Sequence, residues 1–249
     1  VLCFCNDINS IQLNDEEPIF SSANSVKLQK NIDGKNIEII ESVKYKNEKK
    51  FIIISSEEKN KDYSKRYAEM HDSDLVDRQF KVRIAFQIDD NNQIIKQKND
   101  DTCLFCTFPL IGSEDYQLPY IVDCQHFDTM TERNGIYLDG PKYDSKKNLT
   151  NTGLNYLILN RSIDLFNIGI DWLISNEYSN FSSLSNGLKN NSNKMNPFTN
   201  KICEILMNSP IIHNSMNDKV KLSDIVFLDL DNIKNPKDFH ELASSFYIN

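Results

Sequence analysis

Cys103, Cys106, Cys124 and His126 offer four sulfur and nitrogen donors at a spacing that overlaps that of zinc sites. Against zinc, Leu104 and Phe105 stand between the first pair, with no Pro or Gly to form a metal-binding knuckle. Residues three apart on a strand also point to opposite faces. Thiols in such apolar runs read instead as reduced core side chains. A redox pair is disfavoured as well, because a reactive Cys-x-x-Cys belongs at a helix N-terminus.

Glu114, Asp115, Asp123 and Asp128 can supply a carboxylate pair for acid–base work. They fall at turns and strand ends, where solvated carboxylates are the plainer expectation. His71, His213 and His240 are scattered in polar surroundings with no partner pattern. Arg133 stands in a polar segment between two core-seeking runs, with Gly135 two residues later. A planar guanidinium at the rim of a sheet suits a phosphate oxygen or a carboxylate. The plainer alternative is a surface pair with Glu132 or Asp128, worth little energetically. The chain has no Gly-x-x-x-x-Gly-Lys-Ser/Thr, no Gly-x-Gly-x-x-Gly, no Gly-x-Ser-x-Gly and no His-Glu-x-x-His. With only 7 Gly overall, a glycine-rich phosphate cradle is not expected.

The elements that must position these groups are read from 249 residues, 39% hydrophobic and 26% charged, with a net charge of −8. That length is ample for a buried core. The acidic balance argues against a sequence-independent grip on nucleic acid or anionic membrane. No apolar run is long enough for a transmembrane helix, and the N-terminus lacks the basic region and cleavage site of a signal peptide. Six Cys, most in apolar runs, fit reduced thiols in a cytoplasmic setting. Val1 opens directly on a strand-like run without an initiator Met, which suggests a piece of a longer protein.

Residues 1–13 read as an interior strand, with Pro18 in the connection that follows. Residues 26–56 read as a meander, turning at Asp33-Gly34 and again at Asn47 to Lys50. The charged stretch 57–80 reads as a loop and a mostly solvated helix. Val82, Ile84, Phe86 and Ile88 give one face of a strand, for which Cys103 to Leu110 is the natural antiparallel neighbour, ending at Pro109. Pro119 to Phe127 reads as a further strand. After Gly140-Pro141 the pattern changes. Leu154, Leu157, Ile158, Ile163, Leu165, Phe166, Ile170 and Leu173 form a helical stripe over 152–178, as one helix or two. Residues 179–196 read as an exposed loop. Pro197 opens a helix whose inner face carries Ile202, Ile205, Leu206 and Met207. Short strands at 210–212 and 223–228 and a helix at 236–246 complete the chain. The fold class is α+β: a mainly antiparallel sheet layered with helices over 1–140, then a mainly helical region, 151–249, with a small β module.

Phe108-Pro109-Leu110, Leu118-Pro119, a strand ending in His126-Phe127 and an Arg-centred segment from Thr131 to Leu138 follow one another in the middle of the chain. This order resembles the segment after the nucleotide-binding domain in sacsin-like proteins, which carry a GHKL ATPase domain like that of the ninety-kilodalton heat-shock chaperones. The opening VLCFCNDINSIQL is similar to the start of that chaperone's middle domain. The tail SPIIHNSMNDKVKLSDIVFLDL resembles a module recurring in sacsin-like chains.

The resemblance implies a middle, transducer-type domain, and a chaperone-like ATPase as the full-length protein. Its partners would be a preceding nucleotide-binding domain and protein clients, with neither nucleic acid nor membrane. Arg133 would reach the γ-phosphate of ATP held by that preceding domain, in the manner of an arginine finger. ATP and Mg²⁺ are implied for the full-length protein, and no cofactor for this segment, which lacks the Asn-bearing helix and the Asp-x-Gly-x-Gly turn. The segment alone is not expected to catalyse. The alternative is a non-catalytic interaction module of a large multidomain protein, using the sheet edge or the 179–196 loop.

Overall fold

Alternating apolar residues in the first third of the chain demand a sheet with one or both faces covered. The computed structural model describes residues 4, 10–11, 20–32, 35–44, 49–70, 79–98, 100–185, 196–214 and 218–225. The architecture is α+β. The strands β1 (Ser10–Ile11), β2 (Phe20–Ile32), β3 (Lys35–Lys44), β4 (Lys49–Lys59) and β5 (Gln79–Ile88) pair antiparallel in chain order. The helix α1 (Lys61–Met70) lies in the connection between β4 and β5. Beyond β5 come β8 (Ile121–Asp123), β6 (Leu104–Cys106) and β7 (Phe108–Pro109), giving the order β1-β2-β3-β4-β5-β8-β6-β7. The β6–β8 pair is parallel.

The expected strand of Val82, Ile84, Phe86 and Ile88 is present, and all four side chains are buried. Its neighbour differs from expectation. Cys103 to Leu110 does not pair with β5; the three residues of β8 do, through Arg83↔Asp123, Ile84↔Val122 and Ala85↔Ile121. The connection after β5 explains the difference. Ile94 bridges Ile88, Ile95 N–H donates to Gln87 O, and Ile94 N–H donates to Ser179 O. The chain therefore leaves the end of β5 toward residue 179 instead of folding straight back along the strand. The strand expected over 119–127 is correspondingly reduced to Ile121–Asp123.

The stripe read over 152–178 is one helix, α2 (Asn151–Ser175), opened by Thr150, whose side chain accepts from Gly153 N–H. It lies on the face of the sheet that carries Ile54 and Phe86. A Cβ at Gly169 would come within 2.4 Å of Ile54 Cδ1, so the helix and sheet approach closely there. Phe166 stacks on Tyr120 with ring centroids 4.9 Å apart, and Tyr120 Oη lies 3.2 Å from Ser162 Oγ. Buried Arg161 ties α2 to β4 by pairing with Glu58 and donating to Ser56 Oγ. The opposite face buries Phe51, Ile53, Ala85 and Phe105 under Phe4. Phe4 is the only described residue before Ser10, so the strand expected over 1–13 falls largely outside the described residues, as do the turn at Asp33-Gly34 and the helix expected over 236–246.

The chain divides into two compact units, Val1–Cys203 and Glu204–Asn249. The helix α3 (Asn196–Asn208) spans the division and has Pro197 in its first turn. Phe198, Ile202 and Leu206 are buried, but Met207, expected inward, is 46% exposed. In the second unit β9 (Ile212–His213) pairs with β10 (Lys219–Val220). The expected second strand, 223–228, is described only as far as Ile225, and there Leu222–Asp224 forms a 3₁₀ turn. No helix among the described residues is long and apolar enough to cross a membrane.

Candidate functional site

Arg133 sits at the tip of a tight reversal. Thr129 and Ile136 bridge antiparallel, Met130 N–H donates to Gly135 O, and Arg133 N–H donates to Met130 O at 2.8 Å. Closing the turn holds Arg133 at φ 53°, in the left-handed region that bulky residues seldom adopt. The residue is exposed, and neither expected acid takes it. Glu132 bonds Asn134, Asp128 pairs with Arg66, and Arg133 Nη2 donates to the Cys106 carbonyl at 3.2 Å. Two large apolar side chains stand out in the same neighbourhood. Phe108, paired with Cys106 across β6–β7, is 67% exposed, and Ile111 is 75% exposed. Gly112, next in the chain, would meet Asn134 O if it carried a Cβ, so the two loops are in contact. The result is a cation flanked by exposed apolar surface at the β7 edge of the sheet.

The thiols do not assemble. Cys103 and Cys124 are buried, and among the described residues no group of three His, Cys, Asp or Glu could hold a metal. Cys103 Sγ donates to Ser113 O at 2.7 Å, and burial pushes its pKa up to about 12. Burial raises the Cys124 thiol as well. Cys106 is only half-buried; burial raises it, while the Arg133 cation acts in the opposite direction.

Two of the four carboxylates are not the solvated groups expected from their turn and strand-end positions. Asp123 is 4% exposed, and its Oδ2 accepts from Arg83 Nε at 2.9 Å and Nη2 at 2.6 Å. Burial raises its pKa and Arg83 opposes the rise. The same guanidinium donates to Phe4 O and lies over the Phe4 ring, so one ion pair also holds the cover of the second sheet face. Asp128 pairs with Arg66 of α1. Glu114 bonds Gly112 N–H and helps to cap the local turn.

A second cluster was hidden in the charged stretch. Asn60 accepts from Tyr63 N–H and starts α1, which turns Tyr63, Arg66 and Tyr67 toward the 125–129 loop. Tyr63 Oη lies 2.8 Å from His126 Nδ1, and Gln125 Nε2 lies 3.0 Å from His126 Nε2. Burial lowers the His126 pKa, so the ring is neutral at physiological pH. An Nδ1–H tautomer donating to Tyr63 and accepting from Gln125 satisfies both contacts. Arg66 also donates to Leu149 O and Asn151 Oδ1. The sequence signal was the 63/66/67 spacing, a helical face of two tyrosines and an arginine, masked by neighbouring charges. Compared with family models, with curated proteins and with solved structures, the chain matches none.

Proposed function

We propose that this chain is a transducer-type segment of a larger GHKL-type, chaperone-like ATPase, coupling nucleotide held by a preceding domain to rearrangement and partner binding. The observation that supports this reading is the Arg133 tip: an exposed cation on a closed turn, steadied by the Cys106 carbonyl and flanked by exposed Phe108 and Ile111. Such a surface suits a domain contact that delivers one guanidinium to an anion the chain does not itself hold. ATP and Mg²⁺ belong to the preceding domain in this reading. Arg133 would stabilise charge developing on the transferred phosphoryl group, an effect of about a thousandfold or more.

The test is turnover by the full-length protein carrying Arg133→Ala or Arg133→Lys, measured beside nucleotide affinity. The expected result is turnover lost by a factor of about a thousand with affinity retained. Wild-type turnover in Arg133→Ala would overturn the role.

The same apolar exposure favours a second reading, a non-catalytic interaction module. Phe108→Ser with Ile111→Ser would then abolish partner binding while Arg133→Ala leaves turnover unchanged.

A further inference from the structure

Cys106 and Cys124 belong to no metal site, yet the sheet sets them side by side. In the parallel β6–β8 ladder Leu104 stands opposite Val122 and Phe105 opposite Asp123. Val122 N–H donates to Cys103 O at 2.8 Å, and Cys124 N–H donates to Phe105 O at 3.0 Å. One further step of that register puts Cys106 opposite Cys124. Side chains alternate between faces along a strand, so both cysteines fall on the face of Leu104 and Val122. Neighbouring strands lie about 4.8 Å apart, inside the Cα separation of about 4.4–6.8 Å that a disulfide spans. The two thiols also converge on one turn, closed by Phe127 N–H donating to Cys124 O. Cys106 Sγ lies 3.4 Å from Gln125 O and 3.8 Å from Phe127 O. The Cys124 thiol is acted on by the His126 N–H and by Cys106. Cys103 is differently placed. It stands three residues from Cys106, and its Sγ turns to Ser113 O.

The pair is unequal in access. Cys124 is buried, whereas Cys106 is half-buried and lies beside the Arg133 guanidinium. A solvent-borne oxidant therefore meets Cys106 first. We infer that Cys106 and Cys124 form a reversible intramolecular disulfide when the chain meets a peroxide, Cys106 attacking and Cys124 resolving. The Cys106 thiolate attacks one peroxide oxygen, the O–O bond breaks, and hydroxide leaves a sulfenic acid on Cys106. The Cys124 sulfur then attacks the Cys106 sulfur. The S–S bond forms, the S–O bond breaks, and the Cys124 proton departs with the hydroxide as water. Two electrons pass from the thiols to one peroxide, which ends as two waters. Burial raises the Cys106 thiol while Arg133 opposes the rise, so the first step is slow and the bond records sustained exposure.

The test treats the reduced chain with hydrogen peroxide, natively and in urea, then blocks the remaining thiols and maps the peptides. In the native chain the peptide carrying Cys106 should be joined to the one carrying Cys124. The two thiols should disappear together, return together with dithiothreitol, and leave Cys103 free. Cys106→Ser should slow the loss of Cys124 at least about tenfold, because the buried thiol then has no partner to resolve. Cys124→Ser should let Cys106 run on to the sulfinic acid, which dithiothreitol does not restore. Should either variant fail to fold, the map of the native chain decides alone. No 106–124 link, a link that forms only in urea, a different pair in its place, or Cys124 lost as fast in a folded Cys106→Ser variant would overturn the inference.

Discussion

Asn155 clasps the backbone of Asp128 from both sides: its Oδ1 accepts from Asp128 N–H at 2.9 Å, and its Nδ2 donates to Asp128 O at 2.9 Å. The same Nδ2 donates to Tyr137 O, and the side chain is wholly buried in the first turns of α2. One amide thus fixes the start and the return of the loop that carries Arg133, and holds Asp128 where Arg66 reaches it. Asn155→Ala leaves buried backbone groups without partners, at a cost of about 2 kcal/mol or more. Asn155→Asp should be worse, since a carboxylate cannot donate to the two carbonyls. Chemical denaturation of the three proteins checks the order.

His126 predicts a pH dependence with a definite sign. Burial lowers its folded pKa below the free value of 6.5. Between those two values the unfolded chain binds more protons than the folded one, so stability rises with pH across the window and is full above it. Acidification from about pH 7.5 to about 5 should lower the urea midpoint of the native chain more steeply than that of His126→Gln. Identical slopes would mean that the imidazole is not held neutral by the fold.

Gly153 answers to close approach. A Cβ there would fall 2.0 Å from Lys142 O and 2.8 Å from Leu149 Cδ1. Lys142 O cannot yield cheaply, because it accepts from Thr150 N–H, and Thr150 Oγ1 in turn donates to Pro141 O. Gly→Ala in an open helix gains about 1 kcal/mol. Here overpacking of about 1–3 kcal/mol or more acts against that gain, so Gly153→Ala should be net destabilising. A calorimetric melting temperature at or above that of the native chain would contradict the close approach.

Local pattern carried much of the fold. The period of two from Val82 to Ile88 and the stripe from Leu154 to Leu173 each mark a buried face, and both are where the pattern put them. What the pattern does not carry is which distant strand completes the sheet. β8 meets β5 through an ion pair between residues 83 and 123, and alternation says nothing about such a partner. The same limit hid the Tyr63–His126 contact, because half of α1 is charged and only its spacing betrays an inner face. The strand-end position of Asp123 suggested solvent, whereas a guanidinium across the ladder makes burial tolerable. Arg133 was legible as a rim cation, but its support by a carbonyl on β6 was not.

The four described cysteines should separate by reactivity. A thiolate is the attacking species, so a raised pKa and burial both slow alkylation. Cys103 and Cys124 are buried with pKa values driven up by desolvation, and should stay unmodified by iodoacetamide until the chain unfolds. Cys106 and Cys203 are half-exposed, and burial raises them with less of the side chain covered. They should react first. Arg133 adds a specific signature, because its cation favours the Cys106 thiolate. Arg133→Gln should slow Cys106, by less than about tenfold, and leave Cys203 untouched. Peptide mapping after timed alkylation reads all four sites at once. A Cys106 rate indifferent to Arg133→Gln would show that the guanidinium does not stay beside β6 in solution, and the steadied tip on which its proposed role depends would be lost with it.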